Sequence, residues 1–456
     1  MIPEILNDMR RYFESDATQS YSFRKEQLKK LKQAILKYEK ELYEALNADL
    51  KKSPEESWVT ELGMVISEIN VAIKKLHSWM KPKRVTTNLL NLPSSSYIMN
   101  ESMGVTLIIG PWNYPFQLLI NPLVGAIVAG NCTVLKASEF APATDAVMKK
   151  MIEETFPKEY ILYVQGEGAQ IVPQLMNQFT FDFVFYTGST AVGKIIYKMA
   201  AERLVPVTLE LGGKSPCVVE SDANIKVAAR RIGITKFSAA GQMCVAPDYV
   251  LVHESVKDKF ITSIKDALLS FFSDKPEQDY NYCRIVNEKQ FDRLAGYMKN
   301  GTIVYGGRTD KEKLFIEPTI LENVPLDAPV MKEEIFGPIL PVIAFKTMDE
   351  AKQIIQRNPD PLSFYVYTSS NKKEKEWLSA VPAGGACVNN SSWHLTNHHL
   401  PFGGRGSSGI GQYHGKYSFD AFSHKKAVMK TPTWFDPKIK YPPFKGKLKL
   451  FKWVVR

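Results

Sequence analysis

Apolar positions in the first eighty residues recur at helical spacing. Leu28, Leu31, Ala34, Ile35 and Tyr38 fall three or four residues apart with Lys and Glu between them, which predicts amphipathic helices. Pro82 closes this section, and 85–102 reads as extended around the turn cluster Pro93-Ser94-Ser95-Ser96. From there short apolar runs alternate with helix-length segments. Strands are predicted at 105–109, 132–135, 160–164, 181–186 and 205–211, with a helix at 192–203 before the last. A second set follows at 217–219, 249–252, 339–345, 364–367 and 386–388, again with helical segments between, one of them 227–240. Strands alternating with helices build parallel βαβ units, so the pattern implies an α/β chain of two doubly wound open-sheet domains. No internal repeat interrupts this organisation.

A length of 456 residues exceeds what one apolar core usually organises, which agrees with two domains. The longest oily stretch, 118–135, is broken by Asn121, Pro122, Gly125, Gly130 and Asn131. Those breaks suit a buried helix running into a strand better than a membrane span. Five cysteines, odd and sparse, point to a reducing compartment. The first residues lack a cationic start followed by an apolar core, so no secretory signal is expected and the chain reads as cytoplasmic. The net charge of +10 suggests nucleic acid until its distribution is considered. Seven cations (Lys438, Lys440, Lys445, Lys447, Lys449, Lys452 and Arg456) face Asp436 alone after Pro432, so +6 of the +10 sits in the tail. The body is close to neutral and carries no basic stripe, which excludes nucleic acid as the expected partner. Trp434, Phe444, Phe451 and Trp453 lie among those lysines. Such a tail either contacts an anionic membrane surface, peripherally and weakly, or is a solvated or docked extension.

Two residues carry the candidate chemistry. Cys244 ends the loop Gly241-Gln242-Met243-Cys244 after the helical segment 227–240, and Glu210 lies in Leu209-Glu210-Leu211-Gly212-Gly213-Lys214. Thiolate is the reactive form of cysteine, so a nucleophilic Cys needs an accessible, polar setting, and the glycine-punctuated loop is read as one. Cys132 and Cys217 lie in apolar strand-like runs, and Cys283 and Cys387 have no carboxylate in a comparable motif. Along 205–211, alternation puts Val207, Leu209 and Leu211 on one face and Thr208 and Glu210 on the other, away from the oily side. A free Cys is more often inert packing, and a Glu beside Gly-Gly can cap a turn.

Other motifs follow the carboxyl ends of predicted strands, where ligands of open parallel sheets bind. Gly110-Pro111-Trp112-Asn113-Tyr114-Pro115 fixes Asn113 between prolines, as a pre-aimed amide donor or as a residue satisfying a turn. Tyr186-Thr187-Gly188-Ser189-Thr190-Ala191-Val192-Gly193 can bring a phosphate to backbone amides at a helix start, although it departs from Gly-x-Gly-x-x-Gly. Lys136-Ala137-Ser138-Glu139 can hold ribose hydroxyls, or be a solvated pair. Glu333-Glu334-Ile335-Phe336-Gly337-Pro338 and Pro401-Phe402-Gly403-Gly404-Arg405 complete the set. His394, His398 and His399 lack a carboxylate or Cys at ligand spacing, so they read as loop lining and no metal is expected.

Together these strings resemble the aldehyde dehydrogenase superfamily. Gly-Gln-Met-Cys244-Val-Ala-Pro-Asp-Tyr and His-Leu-Pro-Phe-Gly-Gly are most similar to its class 3 branch, whose members take fatty or aromatic aldehydes. The likeness runs from about Pro111 to Gly409, and Met243 departs from the family pattern, where threonine is common. The resemblance implies a Rossmann-like dinucleotide-binding domain (1–83 and 101–211) and a catalytic domain (212–420). It also implies a small β bridging element (84–100 and 421–432) that joins a homodimer, leaving 433–456 as the basic tail.

By the same resemblance Cys244 is the nucleophile, Glu210 the general base and Asn113 an oxyanion donor. Lys136 and Glu139 hold the adenosine ribose of NAD, with NADP tolerated. Gly188, Ser189 and Gly193 take the pyrophosphate region, with Leu211 and Gly212 also lining the cofactor. Glu334 binds the nicotinamide ribose beside Phe336, and Trp112 sits near the cofactor. The implied reaction oxidises an aldehyde, apolar by the aromatics Tyr114, Phe116 and Trp393, through a thiohemiacetal and a thioester to the acid. An acylating relative passing its thioester to coenzyme A needs no built-in base, so Glu210 counts against it. Cys244, Glu210 and Asn113 count against a non-catalytic structural or lipid-surface protein on the same scaffold.

Overall fold

The helical spacing at the start is realised as Ile2–Glu14, Tyr21–Lys37, Glu39–Leu50, Pro54–Ser57 and Gly63–Met80, with a π-helical turn at Trp58–Leu62. In Tyr21–Lys37 the residues Leu28, Leu31, Ala34 and Ile35 form the buried stripe, and Ser20 caps the helix by accepting from the Phe23 amide. This computed structural model describes residues 2–454.

The first alternating set forms a six-stranded sheet. Its order is Gly409–Ile410, Val207–Glu210, Phe183–Thr187, Val105–Ile109, Cys132–Lys136, Ile161–Val164. The last five are parallel. The strands from Val105, Cys132, Ile161 and Phe183 are buried at every residue, which explains their unbroken apolar runs. Chain order reverses at Val105–Ile109, opening a crevice beyond its carboxyl end.

The second set forms a seven-stranded sheet in the order Thr302–Tyr305, Thr319–Glu322, Ile339–Phe345, Tyr249–His253, Pro216–Val219, Ser363–Tyr367, Gly385–Val388. All but Thr302–Tyr305 run parallel. The α/β class with two parallel open sheets is therefore present. Each sheet has its own buried apolar cluster.

Three expectations need correction. Thr302–Tyr305 and Thr319–Glu322 are strands that the periodicity did not single out; the first is a short, half-exposed edge strand. Gly409–Ile410 pairs antiparallel with Val207–Glu210, so the chain returns to the first sheet after building the second. The helix placed at 227–240 spans Ile225–Phe237, because Ala239 (φ 48°) and Ala240 (φ 51°) are left-handed.

A third, antiparallel sheet joins Lys83–Val85, Ser95–Ser102 and Ser423–Lys430. Among the described residues no helix is long and apolar enough to cross a membrane. In the tail, Trp434 and Trp453 are 79% and 75% exposed.

Candidate active site

Three loops leave the carboxyl ends of the first sheet: Pro111–Asn113, Thr187–Ser189 and the turn after Glu210. They face three segments that enter the second sheet from its amino ends, namely Met243–Val245, Glu333–Phe336 and Leu362. Between them lies a cavity of about 590 Å³, a size suited to a small-molecule site. The carboxyl-end rule thus locates half of this site, while the Cys244 loop lies at the opposite end of its own strand.

Cys244 reaches the cavity through an unusual turn. Ala239, Ala240 and Gly241 (φ 73°) are consecutively left-handed, and a Cβ at Gly241 would lie 2.2 Å from the Gly337 carbonyl oxygen. Gln242 anchors the loop: its amide nitrogen donates to the Ala239 and Arg284 carbonyls at 3.0 and 2.9 Å, and its oxygen accepts from the Val286 amide at 3.0 Å. Cys244 is partly exposed and opens on the cavity, as expected, but the wall around it is largely apolar, not polar. Burial pushes its thiol up to about 12, and the Glu334 and Glu210 carboxyls add to the shift. The thiol is therefore mostly protonated at neutral pH in the ligand-free protein. Alkylation of Cys244 by iodoacetamide is expected to accelerate about tenfold per pH unit, without a plateau below pH ~9. A plateau near neutrality would show a thiolate already formed. Glu334→Gln is expected to speed the reaction by removing a like charge.

The other cysteines offer no rival. Cys132 and Cys217 are fully buried and their thiols are pushed up by burial. Cys283 donates to Glu56 at 3.3 Å, and Cys387 lies 3.3 Å from His394 Nδ1.

Asn113 is buried, and its side-chain amide donates to the Gln242 carbonyl at 3.0 Å, which ties it to the nucleophile loop. One of its two N–H bonds remains for another acceptor. Glu210 also lines the cavity, but the face that carries it is buried, since Thr208 and Glu210 are both covered. Neither carboxyl oxygen has a hydrogen-bond partner among the described residues, and burial pushes its pKa well above the usual carboxylate range. A buried polar group left unbonded marks a place where water or a ligand belongs.

The remaining predicted residues divide into two groups. Trp112, Gly188, Ser189, Leu211, Gly212, Glu334 and Phe336 share the cavity with Cys244. A Cβ at Gly212 would lie 1.8 Å from Glu334 Oε2, and one at Gly188 would lie 2.3 Å from the Tyr186 hydroxyl, so a side chain at either would displace one of these groups. Burial raises Glu334 to about 8, with Asp248 adding to the shift. Lys214 pairs with Asp248 and donates to the Val330 and Glu333 carbonyls, while Asp248 accepts from the Ile335 amide. That buried pair holds the segment carrying Glu334. Trp112 meets Phe336 edge to face at 5.4 Å.

Lys136, Glu139 and Gly193 lie outside the cavity wall. Lys136 Nζ is 3.4 Å from Glu139, whose other oxygen accepts from the Gly168 amide at 2.9 Å. Burial pushes the Glu139 carboxyl up, but its backbone bonds and Lys136 bring it below the usual range, so it is charged. Gly193 gives room to Leu211, which a Cβ would meet at 2.5 Å. The set fits a dinucleotide: bare backbone at Gly188 and Gly212, an unbonded Thr187 hydroxyl, and a charged carboxylate one strand away.

Some wall residues carried no sequence signal. Val59, Thr60 and Met64 come from the helices at the start, and Tyr413 and His414 from beyond the last motif. Of the three aromatics expected near the pocket, Tyr114 and Trp393 line it, whereas Phe116 is wholly buried in the first core. His394, His398 and His399 do not line it; His398 pairs with Glu68 at 2.7 Å.

The description "Aldehyde dehydrogenase family" fits residues 2–428. The 4,4'-diaponeurosporen-aldehyde dehydrogenase of Staphylococcus aureus is 46% identical over 454 residues, covering 99% of this chain and 98% of that protein. Aldehyde dehydrogenase family 3 member H1 of Arabidopsis thaliana is 43% identical, covering 99% and 94%. Among solved structures, the substrate-bound state of Staphylococcus aureus AldH superposes with a TM-score of 0.98 at 45% identity, over 100% of both chains. AldA indole-3-acetaldehyde dehydrogenase of P. syringae, in complex with NAD+, gives 0.86 at 27% identity over 94% and 88%. The chain belongs to the aldehyde dehydrogenase family and is an NAD-dependent oxidoreductase.

Proposed function

We propose that this chain oxidises extended apolar aldehydes to carboxylic acids, with Cys244, Asn113 and Glu210 as its working groups. The observation that carries the reading is their convergence on one cavity from three separate strand ends. Cys244 Sγ, once deprotonated, adds to the carbonyl carbon. The developing oxyanion takes the free N–H of Asn113 and the Cys244 backbone amide. NAD, held by Gly188, Ser189, Gly212 and Glu334 and by Lys136 and Glu139 at the ribose, supplies the hydride acceptor. Glu210 then takes a proton from water as that water attacks the thioester, releasing the acid and restoring Cys244.

The cavity wall is largely apolar, with Tyr114, Leu118, Met243, Phe402 and the half-exposed Trp393 among its residues. The Staphylococcus aureus relative is named for a polyene aldehyde. For straight-chain aldehydes from acetaldehyde to hexadecanal, kcat/KM is expected to rise with length. Each buried methylene is worth about 0.8 kcal/mol, a factor of roughly four, until the channel is filled. A flat or falling series would remove the apolar assignment. The charged Glu139 repels the 2′-phosphate that NADP carries and NAD lacks. The effect is modest because its side chain is 33% exposed, so NAD is preferred and NADP still accepted. A higher kcat/KM with NADP would overturn the preference.

The sheet of Lys83–Val85, Ser95–Ser102 and Ser423–Lys430 supports assembly as a homodimer, since Ser423–Lys430 is mostly exposed along its length. The tail supports a peripheral membrane contact: exposed Trp434 and Trp453 lie among six lysines. Truncation after Pro432 is expected to leave kcat unchanged and to weaken adsorption to phosphatidylserine-containing vesicles. Equal adsorption with and without the tail would leave it a docked or solvated extension.

A further inference from the structure

The loop and helices before Met64 reach the catalytic loops through charged groups that the reaction itself does not consume. Lys52 and Glu61 are both fully buried and lie 2.5 Å apart. Lys52 Nζ also donates to the main-chain carbonyl of Asn113 at 3.0 Å and sits 3.8 Å from the centroid of the Tyr114 ring. The second oxygen of Glu61 accepts from the Phe116 and Gln117 amides at 3.1 and 2.9 Å. Every side-chain hydrogen bond of this pair outside itself therefore ends on residues 113–117. From the same segment Glu56 accepts from the Ala239 amide at 3.0 Å, at the left-handed turn that delivers Cys244. One short stretch, 52–61, thus grips both the Asn113 loop and the nucleophile turn.

A buried ion pair is a poor way to gain stability, because desolvation offsets its attraction and apolar side chains of similar volume do as well. What it offers instead is direction. Misplacement of a catalytic group by about 1 Å can cost ~10²-fold in rate. We propose that Lys52 and Glu61 are positioning residues for the oxyanion site, fixing the Asn113 main chain so that its side-chain amide faces the carbonyl oxygen of an aldehyde bound at Cys244. This rests on the assignment of Asn113 as oxyanion donor.

The test is a cycle of variants in the full-length enzyme. Lys52→Met with Glu61→Gln removes both charges at nearly constant volume, leaving no buried charge unpaired. Rapid mixing with NAD and aldehyde gives the acylation rate from the appearance of reduced cofactor, as a burst where deacylation limits and as the steady-state rate where acylation does. Quenched-flow release of acid from the acylated enzyme gives deacylation. The double variant is expected to slow acylation about 10–100-fold while aldehyde KM, NAD affinity and deacylation stay as they were. In an Asn113→Ala background the same two changes are expected to have no further effect on acylation, because the group they aim is gone. Losses that multiply in the combined variant, an unchanged burst, or equal slowing of deacylation would each overturn the proposal. If the double variant fails to fold, Glu61→Gln alone keeps an acceptor for the two amides. It is expected to give a smaller fall in the same step, cancelled in the same background. Asn113→Ala alone separates the two ideas: a normal burst there would overturn the oxyanion assignment itself, and the positioning role with it.

Discussion

Cys244→Ala is expected to abolish aldehyde oxidation while NAD still binds. The loss is complete, not partial, because the two steps of the reaction are both written on this sulfur. Without it there is no thiohemiacetal from which hydride can leave and no thioester for water to attack. No other thiol can substitute. Cys132 and Cys217 are sealed in the two cores, Cys283 is buried against Glu56, and Cys387 lies against the His394 ring and does not line the cavity. The alanine fits the site without strain, since it only shortens a side chain at the edge of a cavity. Cofactor fluorescence titration with the variant is expected to match the parent protein. Substantial remaining turnover, or inactivation traced to an adduct on another cysteine, would move the nucleophile elsewhere.

Glu210→Gln is expected to divide the reaction in time. The carboxyl has no hydrogen-bond partner to lose, and glutamine keeps its size, so the cavity should persist. Removing the base slows hydrolysis by about 10²–10⁴-fold and leaves hydride transfer in place. Reduced cofactor then appears in a burst near one per active site, followed by slow turnover. Asn113→Ala behaves differently: loss of an oxyanion donor costs about 3 kcal/mol at acylation and removes the burst. Absence of a burst in Glu210→Gln would mean that Glu210 acts before hydride transfer, on Cys244 itself. The electrostatics add a sign. Because burial raises the Glu210 pKa, its carboxylate, and with it deacylation, grows as pH rises. The same shift costs the folded state stability as pH climbs above the ordinary carboxylate range, a cost the glutamine variant does not carry. Its Tm at alkaline pH is therefore expected to equal or exceed that of the parent.

Much of the architecture was legible because the strands are buried on both faces and announce themselves as apolar runs. The strands from Val105 and Ile339 match their expected bounds, and others shift by a residue or two. What stayed hidden has physical reasons. Gly409–Ile410 is two residues long, and Thr302–Tyr305 is a short, half-exposed edge strand, so neither carries a pattern. The accessibility of Cys244 was legible, but the polarity of its surroundings was not, because local sequence shows only glycines and a polar Gln242. The apolar walls and the two carboxyls come from distant segments. Lys52, Glu56 and Glu61 belong to no motif in the sequence; only the tertiary fold shows that Lys52 and Glu61 are buried as a pair and that Glu56 bonds the Ala239 amide.

The return of the chain to the first sheet at Gly409–Ile410 bears on how the protein is made. Phe402, Tyr413, Phe419 and Phe422 complete the first apolar cluster together with residues as early as Leu6. A nascent chain emerging from the ribosome can pair Val105–Ile109 with its neighbours early, yet the edge beside Glu210 stays open until nearly all of the polypeptide has been synthesised. Such sequence-distant closure slows folding and leaves apolar surface exposed in the interval. The first sheet is thus the first to begin folding and the last to be sealed, and a ribosome that stalls before Phe402 releases a chain with an unpaired strand edge at Glu210.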